Sequence, residues 1–518
     1  MSISSHRTAV VLSIFTLLVS ACTHEEAPRE VTNFDQDWQF VLMESDTTLQ
    51  AQIEKSGWRT VHLPHDWSIE GEYRQDHGTD WQSGYLPAGI GYYKKDFTWQ
   101  PDWEERIVRV YFDGIYLNSE VWINGEKLGY RPNGYISFHY DLTQHLKRGK
   151  NTLLVKVDHS QPKSGRWYTG SGIYRHVWLV THHPSYIPMH EVFFSTPEVR
   201  EEFARYRVET MVRNEANSDG DFRLVSSLVT PAGEEVSVTE AEVRLNPNDS
   251  RRVIQSARLD APRLWSPSSP NYYLLQSKLF KNDKLIDQQE TIVGFRDLEI
   301  DSREGLFLNG RSTKIKGVCD HHTAGAVGAA IPDDVLYRRL KLLKDMGCNA
   351  IRTAHNPYSP TFYDMCDTMG FMVLNEAFDG WDEPKAPHDY GNYFDAWWET
   401  DLVSFIKRDR NHPSVIFWSL GNEVWTGTRE MQMKLLKTIR EYDPTRLVTQ
   451  GGIDPTRGMT EDYSKEFLLD IKGFNGKGEE KNALRDYHEQ YPDIPILGTE
   501  IPHTYQTRGV YRSKTHYR

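Results

Sequence analysis

The sequence predicts a multidomain chain in which two all-β sandwiches precede an α/β barrel of the (β/α)8 TIM type that lacks its last strand. Three observations carry this. The length of 518 residues suits about three domains. Short alternating runs separated by turn residues fill the chain as far as about Asp301, which is the strand pattern. Near residue 302 strand-like runs begin to alternate with helical ones, the mark of βα units around a parallel sheet.

The amino terminus, residues 1–22, reads as a targeting segment. His6 and Arg7 precede an apolar stretch from Thr8 to Val19, the length of a signal-peptide core and short for a membrane span. It ends Val19-Ser20-Ala21-Cys22, which resembles the bacterial lipoprotein box with Cys22 as the lipidated residue. The alternative is an ordinary cleaved signal, and either places the protein outside the cytoplasm, in the periplasm or on the outer membrane. Residues 23–34 form a polar tether.

Residues 35–185 carry runs such as Arg109–Asp113, Glu120–Gly125 and Thr152–Val157. Asn124-Gly125 is a hairpin signal, and the stretch reads as a β-sandwich. Residues 186–301 read as a second sandwich whose length suits an immunoglobulin-like fold. Residues 302–518 contain strands expected to begin near Lys314, Ala350, Met372, Val415, Leu447, Leu468 and Ile494. Asp333 or Asp334 is expected to cap a helix with Leu336, Leu340 and Leu343 on one face, ended by Gly347. A second helix carries Phe394, Trp398, Leu402, Phe405 and Ile406 and stops before His412-Pro413. Seven strands are one short of a closed barrel, so the catalytic-type domain is expected to be incomplete.

A net charge of −13 argues against nucleic acid as a partner. The membrane is expected only through the lipid anchor. Cys319, Cys348 and Cys366 show no metal-type spacing, and their apolar neighbours predict buried free thiols.

The chemistry lies in two glutamates that close apolar runs. Val415–Leu420 leads through Gly421-Asn422 to Glu423, and Ile494–Leu497 leads through Gly498-Thr499 to Glu500. Runs of this kind are strands buried on both faces. A carboxylate just past such a run sits at the strand's carboxyl end, where barrel enzymes place catalytic groups. Two of them fit a glycosidase in which one carboxylate attacks and the other serves as acid and base. The alternative for either alone is a salt-bridged rim residue.

Further motifs resemble a known family. Asn349-Ala350-Ile351-Arg352-Thr353-Ala354-His355-Asn356-Pro357 resembles the first signature of glycoside hydrolase family 2, the β-galactosidase, β-glucuronidase and β-mannosidase group. Ser419–Glu423 resembles its acid/base motif and Gly498-Thr499-Glu500 its nucleophile motif. Leu63-Pro64-His65-Asp66-Trp67 and Gly170–Arg175 resemble its jelly-roll domain. The resemblance implies Glu500 as nucleophile, Glu423 as acid/base and Asn422 as a partner of the sugar 2-hydroxyl. It places His355 and His321 against the sugar. Arg352, expected at the end of the second strand, reads as a guanidinium that holds the nucleophile ionised or as a structural ion pair, and the two readings overlap. Asp66 stands where relatives carry an asparagine reaching into the sugar site, and Arg166 where they carry an aspartate. Trp381 reads equally as a platform for the sugar ring or as core. His321-His322 also admits a metal reading, but no third ligand stands at a recognisable spacing, so neither a metal nor an organic cofactor is expected.

Asp379-Gly380-Trp381 replaces the Glu-x-His of magnesium-dependent β-galactosidases, and Phe474-Asn475-Gly476 replaces an Asn-Tyr whose tyrosine touches the nucleophile. The Asn-x-Lys clamp by which a glucuronidase would be recognised falls beyond the segment at hand. The segment from Gly498 to Tyr511 resembles a branch found in polysaccharide-degrading bacteria. The resemblance implies a retaining exo-β-glycosidase acting on oligosaccharides, with β-galactosides ranked first and β-glucuronides next. The competing reading is an inactive carbohydrate-binding lipoprotein or a non-functional fragment.

Overall fold

The computed structural model describes residues 27–43, 57–424, 426–452, 468–476 and 482–501. Cys22 lies outside them. Among the described residues no helix is long and apolar enough to cross a membrane.

The first unit is a sandwich of two antiparallel sheets, one of four strands and one of six. Period-two alternation sends Val108, Val110 and Phe112 of one sheet, and Val121, Ile123, Leu153, Val155 and Val157 of the other, into a shared core. Asn124 takes the left-handed conformation with Gly125 (φ 52° and 94°), as a tight hairpin requires. The second unit is an immunoglobulin-like sandwich, here of two four-stranded antiparallel sheets, closed over Tyr206, Val208, Leu224, Leu275 and Phe295.

The third unit supplies parallel strands β1 (Gly317–His321), β2 (Ala350–Ala354), β3 (Met372–Glu376), β4 (Val415–Asn422), β5 (Leu447–Gly451), β6 (Lys472–Asn475) and β7 (Ile496–Glu500). The first five form one sheet in sequence order, and β6 pairs with β7. Asp470 N donates to Val448 O at 3.0 Å and Thr449 Oγ1 to Ile471 O at 2.9 Å, which lays the approach to β6 beside β5.

Alternate residues serve two cores. Ile351, Val373 and Trp418 face the outer helices, while Ala350, Met372, Leu374 and Phe417 face inward. Leu306 and Leu308, from a small antiparallel sheet before β1, join the inner cluster. That apolar floor lies at the amino ends of the strands, so polar groups gather at the carboxyl ends.

The helix after β1 spans Asp333–Asp345, with Pro332 rather than an aspartate at the cap position. Asp333 and Asp334 fall in its first turn, where they complement the helix dipole without capping it. Gly347 ends it at φ 87°. Of the three thiols only Cys366 is buried. Cys319 and Cys348 are half-buried, because β1 and the Gly347 turn leave one side uncovered.

Candidate active site

Arg352 points inward from the middle of β2, between the outward-facing Ile351 and Thr353. Its guanidinium is 4% exposed and ties four strands together. Nη2 donates to both oxygens of Glu376 at 2.9 Å and to Asn422 Oδ1 at 2.8 Å. Nη1 donates to Glu500 Oε2 at 2.9 Å. Burial opposes its charge, but Glu376, Cys319 and Glu500 hold it above the usual guanidinium range. Glu376, ending β3, is wholly buried. Its carboxylate also meets His355 Nδ1 at 2.8 Å and accepts from Ser419 Oγ at 2.7 Å. Burial raises its pKa, and Arg352 and His355 outweigh that, so the net direction is down.

The two glutamates singled out in the sequence meet across one amide. Asn475, the last residue of β6, donates from Nδ2 to Asn422 Oδ1 at 2.9 Å, to Glu423 Oε1 at 3.2 Å and to Glu500 Oε2 at 3.3 Å. Glu423 and Glu500 therefore approach within the sum of the last two distances, about 6.5 Å at most. Glu423 follows β4 with φ 43°, a left-handed conformation costing a non-glycine residue about 1–2 kcal/mol. Its backbone N–H, bonded to Gly451 O at 2.8 Å, holds that turn, which carries the side chain back toward the barrel axis.

The amino-terminal sandwich completes the wall. Arg166 grips Asp379 with two bonds, Nη2 to Oδ1 at 2.6 Å and Nε to Oδ2 at 3.0 Å. Lys385 Nζ reaches Asp379 O at 2.7 Å and Asn422 O at 2.5 Å. Burial works against the Asp379 charge, but Lys385 and Arg166 hold its carboxyl well below the usual range. Asp379 Oδ1 accepts from Asn422 Nδ2 at 3.0 Å. Trp167 stands edge-on to His321 (5.3 Å) and His355 (5.6 Å). Burial, with His355 beside it, pushes the His321 imidazole down to about 4. His355 Nε2 lies 3.8 Å from Glu500 Oε2.

Thus Arg352, His355, Asn422, Glu423 and Glu500 surround one cleft with His321 on its edge. Two residues leave the expected set. Trp381 is 2% exposed, belongs to the barrel's outer core and donates from Nε1 to Leu420 O at 3.1 Å. It offers no free face to a sugar, because Gly421 and Gly427 lie directly on its ring. Asp66 is also 2% exposed. Its Oδ1 accepts from Ser68 N and Ser171 N, and its Oδ2 from Tyr168 Oη and Ala329 N. Four donors consume the carboxylate, so it staples sandwich loops to a barrel loop and does not turn into the cleft. The two histidines of the His321-His322 pair part company: His322 packs edge-on to Tyr135 with Nε2 3.2 Å from Thr169 O.

Sequence reasoning passed over Lys385 and Trp167. Trp167 adjoins Arg166, whose departure from the family pattern was visible. Lys385 sits in a Pro-rich loop with no local signal. Asn475 was visible only as the absence of a tyrosine.

Comparison with known proteins gives consecutive matches along the chain. Residues 31–184 match the model described as glycosyl hydrolases family 2, sugar binding domain. Residues 188–296 match glycosyl hydrolases family 2, and residues 298–516 match glycosyl hydrolases family 2, TIM barrel domain. A β-galactosidase of Bacteroides ovatus is 38% identical over 95% of this chain and 62% of its own length. A putative β-glucuronidase of Formosa agariphila is 39% identical over 98% of the chain and 47% of its own length. The crystal structure of a β-glycosidase from Bacteroides vulgatus superposes with a TM-score of 0.86 at 50% identity, covering 94% of this chain and 61% of that one. The chain thus spans about half to three fifths of the length of these relatives. With matches to one family running in order through both sandwiches and the barrel, the chain belongs to glycosyl hydrolase family 2.

Proposed function

We propose that the protein is a retaining exo-β-glycosidase that removes terminal β-linked sugars from oligosaccharides, with β-galactosides first and β-glucuronides second. The observation that carries the reading is the single amide of Asn475 shared by Glu423 and Glu500. A ceiling of about 6.5 Å on their approach fits the roughly 5–5.5 Å of retaining enzymes and leaves scant room for the water that inverting enzymes place between their carboxyls. The relatives' names, β-galactosidase and putative β-glucuronidase, supply the sugar classes.

In this reading Glu500 attacks the anomeric carbon and forms an ester as the glycosidic C–O bond breaks. Glu423 gives its proton to the leaving oxygen. Glu423 then takes a proton from water, which attacks the same carbon and releases Glu500. Arg352 keeps Glu500 ionised and aimed through a charge-assisted bond. Asn422, its Oδ1 engaged by Arg352 and Asn475, offers Nδ2 to the sugar 2-hydroxyl. The neutral imidazole of His321 and the rings of His355 and Trp167 shape the sugar's flank.

The finer architecture belongs to the same reading. The amino-terminal sandwich is a jelly roll, and the strands β1 to β7 are those of an eight-stranded barrel. Cys22 is the lipid-anchored first residue of an exported protein. The test is Glu423→Ala. It should slow cleavage of alkyl glycosides by about 10²–10⁴-fold, the worth of general acid catalysis, while sparing formation of the glycosyl-enzyme from dinitrophenyl glycosides. Equal losses on both substrates would remove Glu423 from the acid role.

A further inference from the structure

We propose that Tyr73 and Trp81 form a second sugar-binding platform, which takes the remote rings of an uncharged β-linked oligosaccharide whose terminal residue occupies the cleft. This rests on the glycosidase reading. Trp81 is 72% exposed and Tyr73 70% exposed. An indole left in water forgoes about 2 kcal/mol of burial, and both open rings stand on one segment.

That segment is built. Arg74 N donates to Tyr85 O at 3.0 Å and Tyr85 N to Asp80 O at 3.0 Å, closing the loop on itself. Asp80 Oδ1 accepts from Gln82 N at 3.0 Å and Ser83 N at 3.3 Å, and Thr79 Oγ1 donates to Leu86 O at 2.9 Å. Trp81 stands within this turn, as the residue after Asp80.

The platform joins the cleft wall. Asp80 Oδ2 lies 4.0 Å from Lys163 Nζ. Three residues beyond Lys163, Arg166 holds Asp379, and Trp167 follows against His321 and His355. One short loop therefore links the aromatic segment to the sugar's flank. The charges flanking the rings are Glu72, Arg74, Asp76, Asp80 and Lys163, with Arg74 paired to Asp76 and Lys163 beside Asp80. This near-balance suits neutral sugar rings and offers no cationic excess to sulfated or uronic ones. A flat ring face with no dedicated charge is the surface on which the apolar face of a pyranose stacks.

The test compares Trp81→Ala, Tyr73→Ala and the double variant of the full chain with the unaltered protein. Substrates are β-1,4-galactotetraose and cellotetraose on one hand and the matching nitrophenyl monosaccharides on the other. The double variant should lose about tenfold in kcat/KM on the preferred tetrasaccharide, the worth of one or two aromatic contacts. It should stay within about twofold on the nitrophenyl glycoside, with an unchanged melting temperature. Parallel loss on both substrates, or no loss on either, overturns the platform. Should the unaltered chain hydrolyse neither, the glycosidase reading fails by itself. Calorimetric titration with the same tetrasaccharides then decides the platform: binding lost in the double variant upholds it, and equal binding or none refutes it.

Discussion

Replacing Arg352 by methionine should cost both folding stability and the first chemical step, and the structure sets the size of each. The methionine side chain would fill the volume of the arginine stem but leave Glu376, wholly buried, without its cation. Breaking a buried ion pair by removing one partner costs about 3–5 kcal/mol. His355 and Ser419 still contact Glu376, which puts the loss at about 3 kcal/mol. At about 2–4 °C per kcal/mol for a unit of barrel size, the barrel's melting transition should fall by about 6–12 °C. Glu500 separately loses a charge-assisted donor at 2.9 Å, worth about 1.5–3 kcal/mol. That slows attack on the anomeric carbon by about 10- to 100-fold. The assays are differential scanning calorimetry and the inactivation rate with a 2-deoxy-2-fluoro glycoside. Arg352→Lys should fall between, because an ammonium cannot serve Glu376, Glu500 and Asn422 with a guanidinium's fixed fork. A melting shift under about 2 °C with an unchanged inactivation rate would show that Arg352 does not link these carboxylates.

Asp66→Asn sets an amide N–H₂ against two of the four donors that now meet the carboxylate, and should destabilise the sandwich–barrel contact by about 2–3 kcal/mol. KM should change little; an unshifted melting temperature with a tenfold rise in KM would return Asp66 to the sugar site. His176 bridges two units, with Nδ1 2.7 Å from Asp35 and Nε2 3.4 Å from Asp333. Burial lowers its pKa, but Asp333 and Asp35 outweigh burial and push it up to about 10 from 6.5. A folded-state value above the unfolded one means the stabilisation is complete below pH about 6.5 and lost as pH rises through about 10. Thermal stability should decline across that window, and His176→Asn should flatten the decline. A variant with the same slope between pH 7 and 10 would assign it to other groups.

The barrel strands were legible because parallel strands covered on both faces read as unbroken apolar runs. Val415–Leu420 has no polar position other than Ser419, which turns inward to Glu376. The sandwiches were legible through period-two alternation and, in the first, through the Asn124-Gly125 turn. What the sequence could not show is which loops converge. Asp66 looked like a site residue because its motif is local, whereas its four donors come from positions as far away as Ala329. Trp381 left platform and core open because burial is a property of the neighbours, here two glycines whose missing side chains admit the ring. The helix after β1 offered two adjacent aspartates as caps, and the extended backbone at Pro332 placed the cap one residue before Asp333 and two before Asp334. Lys385 reaches Asn422 O through a loop whose path depends on the Asp389 turn, held by Asp389 Oδ2 accepting from Lys385 N and Ala386 N. No periodicity encodes such a path.

The central claim is that Glu500 carries the sugar. The most direct measurement is peptide mass spectrometry after trapping the protein with dinitrophenyl 2-deoxy-2-fluoro-β-galactoside and, in parallel, the glucuronide. The account predicts one fluoroglycosyl adduct, on Glu500, abolished in Glu500→Gln and formed normally in Glu423→Ala. An adduct on any other residue, or continued turnover by Glu500→Gln, would contradict it.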